Sequence, residues 1–116
     1  MSEALIDPET WEMFKSMTDP AFLVEIMDVY LMDSPELIAQ MHSGLEAGDI
    51  EVVRRAAHSL KSNSASFGAN RLSAVARELE MIAKSGTLDG AEAKLKLIET
   101  EYTLLVPVLE KMKSEY

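Results

Sequence analysis

Cysteine is absent from the 116-residue chain, which excludes disulfide frameworks, thiolate metal sites, iron–sulfur clusters and thiol nucleophiles together. Glycine and proline are scarce, at five and four residues. Neither a G-x-S-x-G nucleophile turn nor a glycine-rich phosphate loop occurs, so ATP hydrolysis and kinase activity are not expected. Only two histidines are present, too few for a metal site needing three or four ligands of fixed geometry. Long apolar runs are missing as well. The longest, Leu104–Leu109, is short and contains Pro107, and the N-terminus has neither a basic start nor an apolar signal core, so a soluble cytoplasmic protein away from membranes is expected. Basic residues are the last deficit: 11 Lys and Arg against 20 Asp and Glu give a net charge of -9 and a pI near 4.6. Phosphate backbones repel such a surface, so nucleic acid is not an expected partner.

What remains is 47% hydrophobic and 27% charged, enough apolar material for one core and hence a single domain over residues 1–116. The charge is unevenly spread. Residues 1–49 carry 11 acids against Lys15 alone, whereas residues 50–84 carry six bases against three acids. A locally positive middle segment suits a docking face for an anionic group or an acidic pocket, and a chance cluster of solvated side chains is the plain alternative.

Apolar residues recur with a period near 3.6 throughout, without sustained strand-like alternation, so the fold class is all-α. Asp7-Pro8 and Asp19-Pro20 each place a capping acceptor before a proline at the first helical position, predicting a short helix to about Met17 and a longer one carrying Phe22, Leu23, Ile26, Met27 and Tyr30 on one stripe. Ser34-Pro35 repeats the cap signal inside that pattern, predicting either one kinked helix or two helices end to end, finished at Gly48. Asp49 caps a third helix to about Phe67, Asn70 caps a fourth to about Lys84, and a fifth starts near Asp89, with a kink expected at Pro107. Short connections between long helices predict an antiparallel up-down four-helix bundle with the short N-terminal helix lying across it. A bundle whose stripes are all used internally is expected to be monomeric.

At about 100° per residue with His58 at the origin, Val53, Ala56, Ala57, Leu60, Ser64 and Phe67 fall on the far side and form the core face. Arg54, Arg55, Lys61, Ser62, Ala65 and Ala69 fall near His58, which places the imidazole in solvent among basic and small residues. Ser64, inside the run Ser62–Ser66, reads as a tight helix crossing. His42 sits at the margin of its stripe and reads as structural or merely exposed. His58 is therefore the one candidate reactive group. A neutral imidazole offers a lone pair that can attack phosphorus, and Lys61, one turn on, can set an ammonium beside the resulting oxygens. An exposed His beside a Lys is common, so this geometry alone leaves a non-reactive surface open.

The run Ala57-His58-Ser59-Leu60-Lys61-Ser62-Asn63-Ser64-Ala65-Ser66-Phe67-Gly68-Ala69, followed by Leu72 and Leu79-Glu80, resembles the signature of histidine-containing phosphotransfer domains, H-x-L-K-G/S-x-S-x-x-x-G-A with a later L-E. Tyr30-Leu31 before Asp33-Ser34-Pro35-Glu36-Leu37, and Gly48-Asp49, extend the resemblance over about residues 5–112. It implies a phosphorelay intermediate that takes a phosphoryl group on His58 from a receiver-domain aspartate and passes it to another receiver. The implied partners are receiver domains of a hybrid sensor kinase or of response regulators. No cofactor is implied for the chain itself, since the Mg²⁺ that assists transfer belongs to the receiver. By position, Lys61 would meet the phosphoryl group and Glu80 would hydrogen-bond the second ring nitrogen of His58. On the residues alone, Glu80 could equally be an exposed partner of Arg77 or Lys84. Arg54, Arg55, Ser62, Ala65 and Arg77 would lie at the receiver-docking surface. One departure is Ser62, where the family often has glycine; its hydroxyl narrows access without closing it. The competing reading is a helical interaction module whose His58 is never phosphorylated. An autonomous enzyme would need a substrate or nucleotide pocket that the sequence does not suggest.

Overall fold

The structure, a computed structural model, describes residues 5–116. It holds five helices, α1 (Pro8–Ser16), α2 (Pro20–Ala47), α3 (Ile50–Ala65), α4 (Asn70–Lys84) and α5 (Ala91–Lys113), and no strand among the described residues. Three of the expected caps form. The Asp7 carboxylate accepts from the Thr10 amide at 3.0 Å, Asp19 from Phe22 at 2.9 Å and Asp49 from Val52 at 3.2 Å, each satisfying a donor that the first helical turn leaves over. Gly48, at φ 68°, closes α2 and reverses the chain into α3.

Helices α2 to α5 pack in a closed ring, α2 on α3, α3 on α4, α4 on α5 and α5 back on α2. Their two- to six-residue connections make neighbours antiparallel, giving the up-down bundle. Pro35 does not divide α2, which runs unbroken for 28 residues. Ser34, read from the sequence as a cap, is instead buried in mid-helix and donates its hydroxyl to the Tyr30 carbonyl at 2.7 Å. Helix α5 likewise continues through Pro107.

The core follows the expected stripe completely along α3 and into the turn after it, with Val53, Ala56, Ala57, Leu60, Ser64 and Phe67 all buried. On α2 the expected stripe is too wide: Leu23, Met27 and Tyr30 are buried, whereas Phe22 is exposed. Phe22, Val29 and Met32 on α2 and Met13 and Met17 at α1 remain at the surface, so the premise that every apolar stripe is used internally does not hold. Ser64 does mark a close crossing, for its hydroxyl meets the Tyr30 hydroxyl at 2.8 Å in the interior. Burial pushes the Tyr30 phenol up to about 12, against the opposing effect of that hydrogen bond.

The α3–α4 turn departs from the sequence reading in two places. Ala69, projected near His58 by extrapolating a helix, is fully buried because α3 ends at Ala65 and the chain bends inward at Gly68. Asn70 is the first residue of α4 and not its cap; Ala69 occupies the cap position with no side-chain hydrogen bond, and the Asn70 amide bonds the Gly68 carbonyl at 2.8 Å. Gly68 is required twice over. Its φ is 99°, and a Cβ there would stand 3.0 Å from the Asp7 carbonyl oxygen and 3.1 Å from Thr10 Cβ. That close approach, with the Asp7 amide donating to the Gly68 carbonyl at 2.8 Å, pins the start of α1 to the end of the histidine helix. At the other end, α5 begins at Ala91 after Gly90 in the left-handed region, two residues past the expected Asp89.

Candidate functional site

The face shared by α3 and α4 is built for close approach. Ala57 and Ala76 are fully buried small residues on the two helices, and the Ser73 hydroxyl of α4 donates to the Lys61 carbonyl of α3 at 2.9 Å, fixing the register of the pair. This brings Glu80, on the inward side of α4, beneath His58 on the outward side of α3.

The result is a bridged carboxylate. Glu80 Oε2 lies 2.7 Å from His58 Nδ1, and Glu80 Oε1 lies 2.7 Å from Lys61 Nζ. The Glu80 side chain is 3% exposed and that of His58 is 55% exposed. Burial opposes the charge on Glu80, and the hydrogen bonds and positive charges of Lys61 and His58 outweigh it, so the carboxyl titrates below its ordinary value of 4.5. An ionised carboxylate only accepts hydrogen bonds, so Nδ1 carries the proton. In the neutral ring the lone pair is then on Nε2, the nitrogen on the exposed side of the imidazole. The alternative of Glu80 as an exposed residue is thereby overturned, and of its two proposed partners only Lys84 stands near, at 3.9 Å from Oε2.

The expected surface residues surround this unit unequally. Arg54 is half-buried and turned back on Glu51 of its own helix, its Nε donating to Glu51 Oε1 at 2.8 Å with a second contact between Nη2 and Oε2. Arg55 is exposed, 3.9 Å from Glu51, and lines a groove with Leu37, Gln40 and Ser59 on the α2 side of the histidine. Ser62 and Ala65 are exposed along α3 beyond His58, and Arg77 is exposed one turn before Glu80 on α4. His42, away from this face, meets Glu99 Oε2 at 3.0 Å and ties α2 to α5.

Lys84, read from the sequence as an alternative partner of Glu80, adds a second cation to the buried carboxylate at the i+4 spacing. One feature was not read from the sequence: Ile26, Val29 and Asp33 of α2 with Asn63 and Ser66 beyond the histidine line a shallow groove of about 120 Å³, with exposed Phe22 one turn away along α2. From the sequence, Phe22 and Ile26 were placed in the core stripe and Val29 was not assigned. A cavity of about 610 Å³ is lined by α2, the α4–α5 connection and α5, including His42, Leu45, Leu95 and Glu99, with no residue of α3. Among the described residues no group of three or more His, Asp or Glu side chains is placed to hold a metal, and no helix is long and apolar enough to cross a membrane.

The family model of the Hpt domain matches residues 25–106, most of the chain, and the protein belongs to that family. The fold superposes on the crystal structure of histidine-containing phosphotransfer protein B from Pseudomonas aeruginosa PAO1 with a TM-score of 0.92 and 27% identity, covering 99% of each chain. Histidine-containing phosphotransfer protein 2 of Arabidopsis thaliana is 25% identical over 115 residues, 95% of this chain and 74% of that protein. Phosphorelay protein LuxU of Vibrio cholerae is 35% identical over 63 residues, 54% of this chain and 56% of that protein.

Proposed function

We propose that the protein is a phosphorelay intermediate of two-component signalling, with His58 as its phosphoacceptor, acting as one domain over residues 1–116. The observation that carries the reading is the 2.7 Å hydrogen bond from His58 Nδ1 to buried Glu80 beside an exposed ring. Nε2 attacks the phosphorus of a receiver's aspartyl phosphate; the N–P bond forms, the P–O bond to the aspartate breaks, and the aspartate leaves as carboxylate. Nδ1 keeps its proton throughout, and Glu80 stabilises the positive charge that grows on the ring. Reversal of these steps on a second receiver passes the group on. Lys61, bonded to the other oxygen of Glu80, holds that carboxylate in place.

In the relay the phosphoryl group comes from one receiver and leaves to another, so the chain acts as a transfer mediator and not as an autonomous kinase. The Mg²⁺ of the reaction is the receiver's, and the partners are receiver domains of a hybrid sensor kinase and of response regulators, met by a monomer in the cytoplasm. Arg54, Arg55, Ser62, Ala65 and Arg77 border the docking face. The exposed Phe22 and Val29, with half-buried Ile26 between them, extend it onto α2 and supply the desolvated contact that charge alone does not. The positive middle segment assists encounter with the clustered carboxylates of a receiver.

The test is transfer of labelled phosphoryl from a panel of phosphorylated receivers to the wild type and to His58→Gln, with binding measured in parallel. An acid-labile, alkali-stable label on the wild type alone is expected. Receivers that bind but label neither protein would instead establish a non-catalytic interaction module.

A further inference from the structure

The phosphoryl group proposed for His58 brings close to two negative charges to a surface position, and two lysines stand near enough to meet it. They are not equivalent. Lys61 is 27% exposed and its ammonium bonds Glu80 Oε1 at 2.7 Å. Among the described residues Glu80 Oε1 has no other hydrogen-bond partner, so withdrawing Lys61 leaves half of a buried carboxylate uncompensated, a change that costs several times more than loosening an exposed pair. Lys84 is 59% exposed, and its ammonium stands 3.9 Å from Glu80 Oε2. That distance is too long for a hydrogen bond, and Oε2 is already occupied by His58 Nδ1 at 2.7 Å. Lys84 can therefore leave at almost no cost. The shared oxygen also places it: two contacts of 3.9 Å and 2.7 Å through Oε2 put the Lys84 ammonium within reach of the imidazole by a rotation of its own flexible stem.

Resting on the proposed phosphoacceptor role of His58, we infer that Lys84 is the cation that binds the phosphoryl oxygens, while Lys61 stays on Glu80 as a positioning residue. The two lysines then divide the work. Lys61 keeps the carboxylate ionised and aimed at Nδ1, which sets the tautomer before transfer. Lys84 is held near by long-range attraction to Glu80 and moves to the group once it arrives, neutralising charge that the carboxylate below would otherwise repel. The other cations of this face are less suited, since Arg54 is engaged by Glu51 and Arg55 lies on the α2 side of the ring.

The experiment is a pH titration of the phosphorylated protein followed by ³¹P NMR, using phosphoramidate as the donor so that no receiver contact intervenes, in wild type, Lys84→Met, Lys61→Met and His58→Gln. A cation on the phosphoryl oxygens lowers the pH at which they take up their last proton. Lys84→Met is expected to raise that midpoint by a few tenths of a pH unit or more and to leave the imidazole ¹⁵N signature of the Nδ1–H tautomer unchanged. Lys61→Met is expected to leave the midpoint in place and to disturb the tautomer signature. A midpoint that moves in Lys61→Met as far as in Lys84→Met, or in neither, overturns the inference while the phosphoacceptor reading stands. A ³¹P signal that persists in His58→Gln, or is absent from the wild type, overturns the reading beneath it and the inference with it.

Discussion

Replacing Glu80 by glutamine tests the bridged carboxylate with almost no change of shape. In the wild type both oxygens accept charge-assisted bonds, from Lys61 Nζ and His58 Nδ1, each at 2.7 Å. An amide has one accepting oxygen and one donating nitrogen, so Glu80→Gln can keep one partner and must present N–H to the other. With the oxygen on His58, Lys61 is released to solvent. The loss is one hydrogen bond to a charged group and part of a second, about 2 kcal/mol, or a fall in Tm of about 8 °C for a domain of this size. The pH dependence carries the sharper signature. Because Glu80 titrates below 4.5 in the folded protein, its contribution is fully present above 4.5 and disappears as the pH falls through the lowered folded value. The wild type should therefore exceed Glu80→Gln by its full margin at pH 7, and the two should converge in the acid range below 4.5. Urea denaturation across that range reads both. Equal stability at pH 7, or a gap that widens on acidification, would refute a charged, paired Glu80. The rate of phosphoryl uptake should fall about tenfold in the same variant, since a neutral acceptor steadies the growing ring charge less well by about 1.4 kcal/mol.

Gly44→Ala should destabilise despite the better helix propensity of alanine, because the added Cβ would stand 2.7 Å from Val53 Cγ2 and 3.2 Å from the Asp49 carbonyl oxygen; a loss of about 1–3 kcal/mol in chemical denaturation is expected, and a gain would show that the α2–α3 corner yields freely. Tyr30→Phe and Ser64→Ala each strand one hydroxyl of a buried 2.8 Å bond, so a double-mutant cycle should return a coupling of about 1 kcal/mol, and strict additivity would contradict the contact. Phe22→Ser with Val29→Ser, both at exposed positions, should leave the thermal midpoint nearly unchanged and weaken receiver binding tenfold or more; undiminished binding would remove α2 from the docking face.

The helices were legible because their signals are local. Asp7, Asp19 and Asp49 cap where the sequence places them, and the α3 stripe is buried in full. The failures fall where a local rule meets a tertiary one. Ala69 was projected onto the histidine face as if α3 continued, but Gly68 turns the backbone inward against Asp7 and Thr10. Phe22 carries the right period for the core, yet lies at the edge of the stripe where the bundle leaves it uncovered. The site was half legible. The spacing of His58 and Lys61 follows from one helix, whereas the burial of Glu80 depends on how closely α4 approaches α3, a property of small residues on both helices that no single helical projection contains. Lys84 was legible only as a helical neighbour of Glu80; that it joins the same buried carboxylate as His58 and Lys61 depends on the same approach.

The proposed relay depends most directly on which nitrogen of which histidine carries the phosphoryl group. Long-range ¹H–¹⁵N correlation of the imidazoles before and after phosphorylation by a receiver measures it. The expected result is a bond at Nε2 of His58, with Nδ1 protonated in both states and His42 unchanged. Phosphorylation at Nδ1 of His58, or at His42, would contradict it.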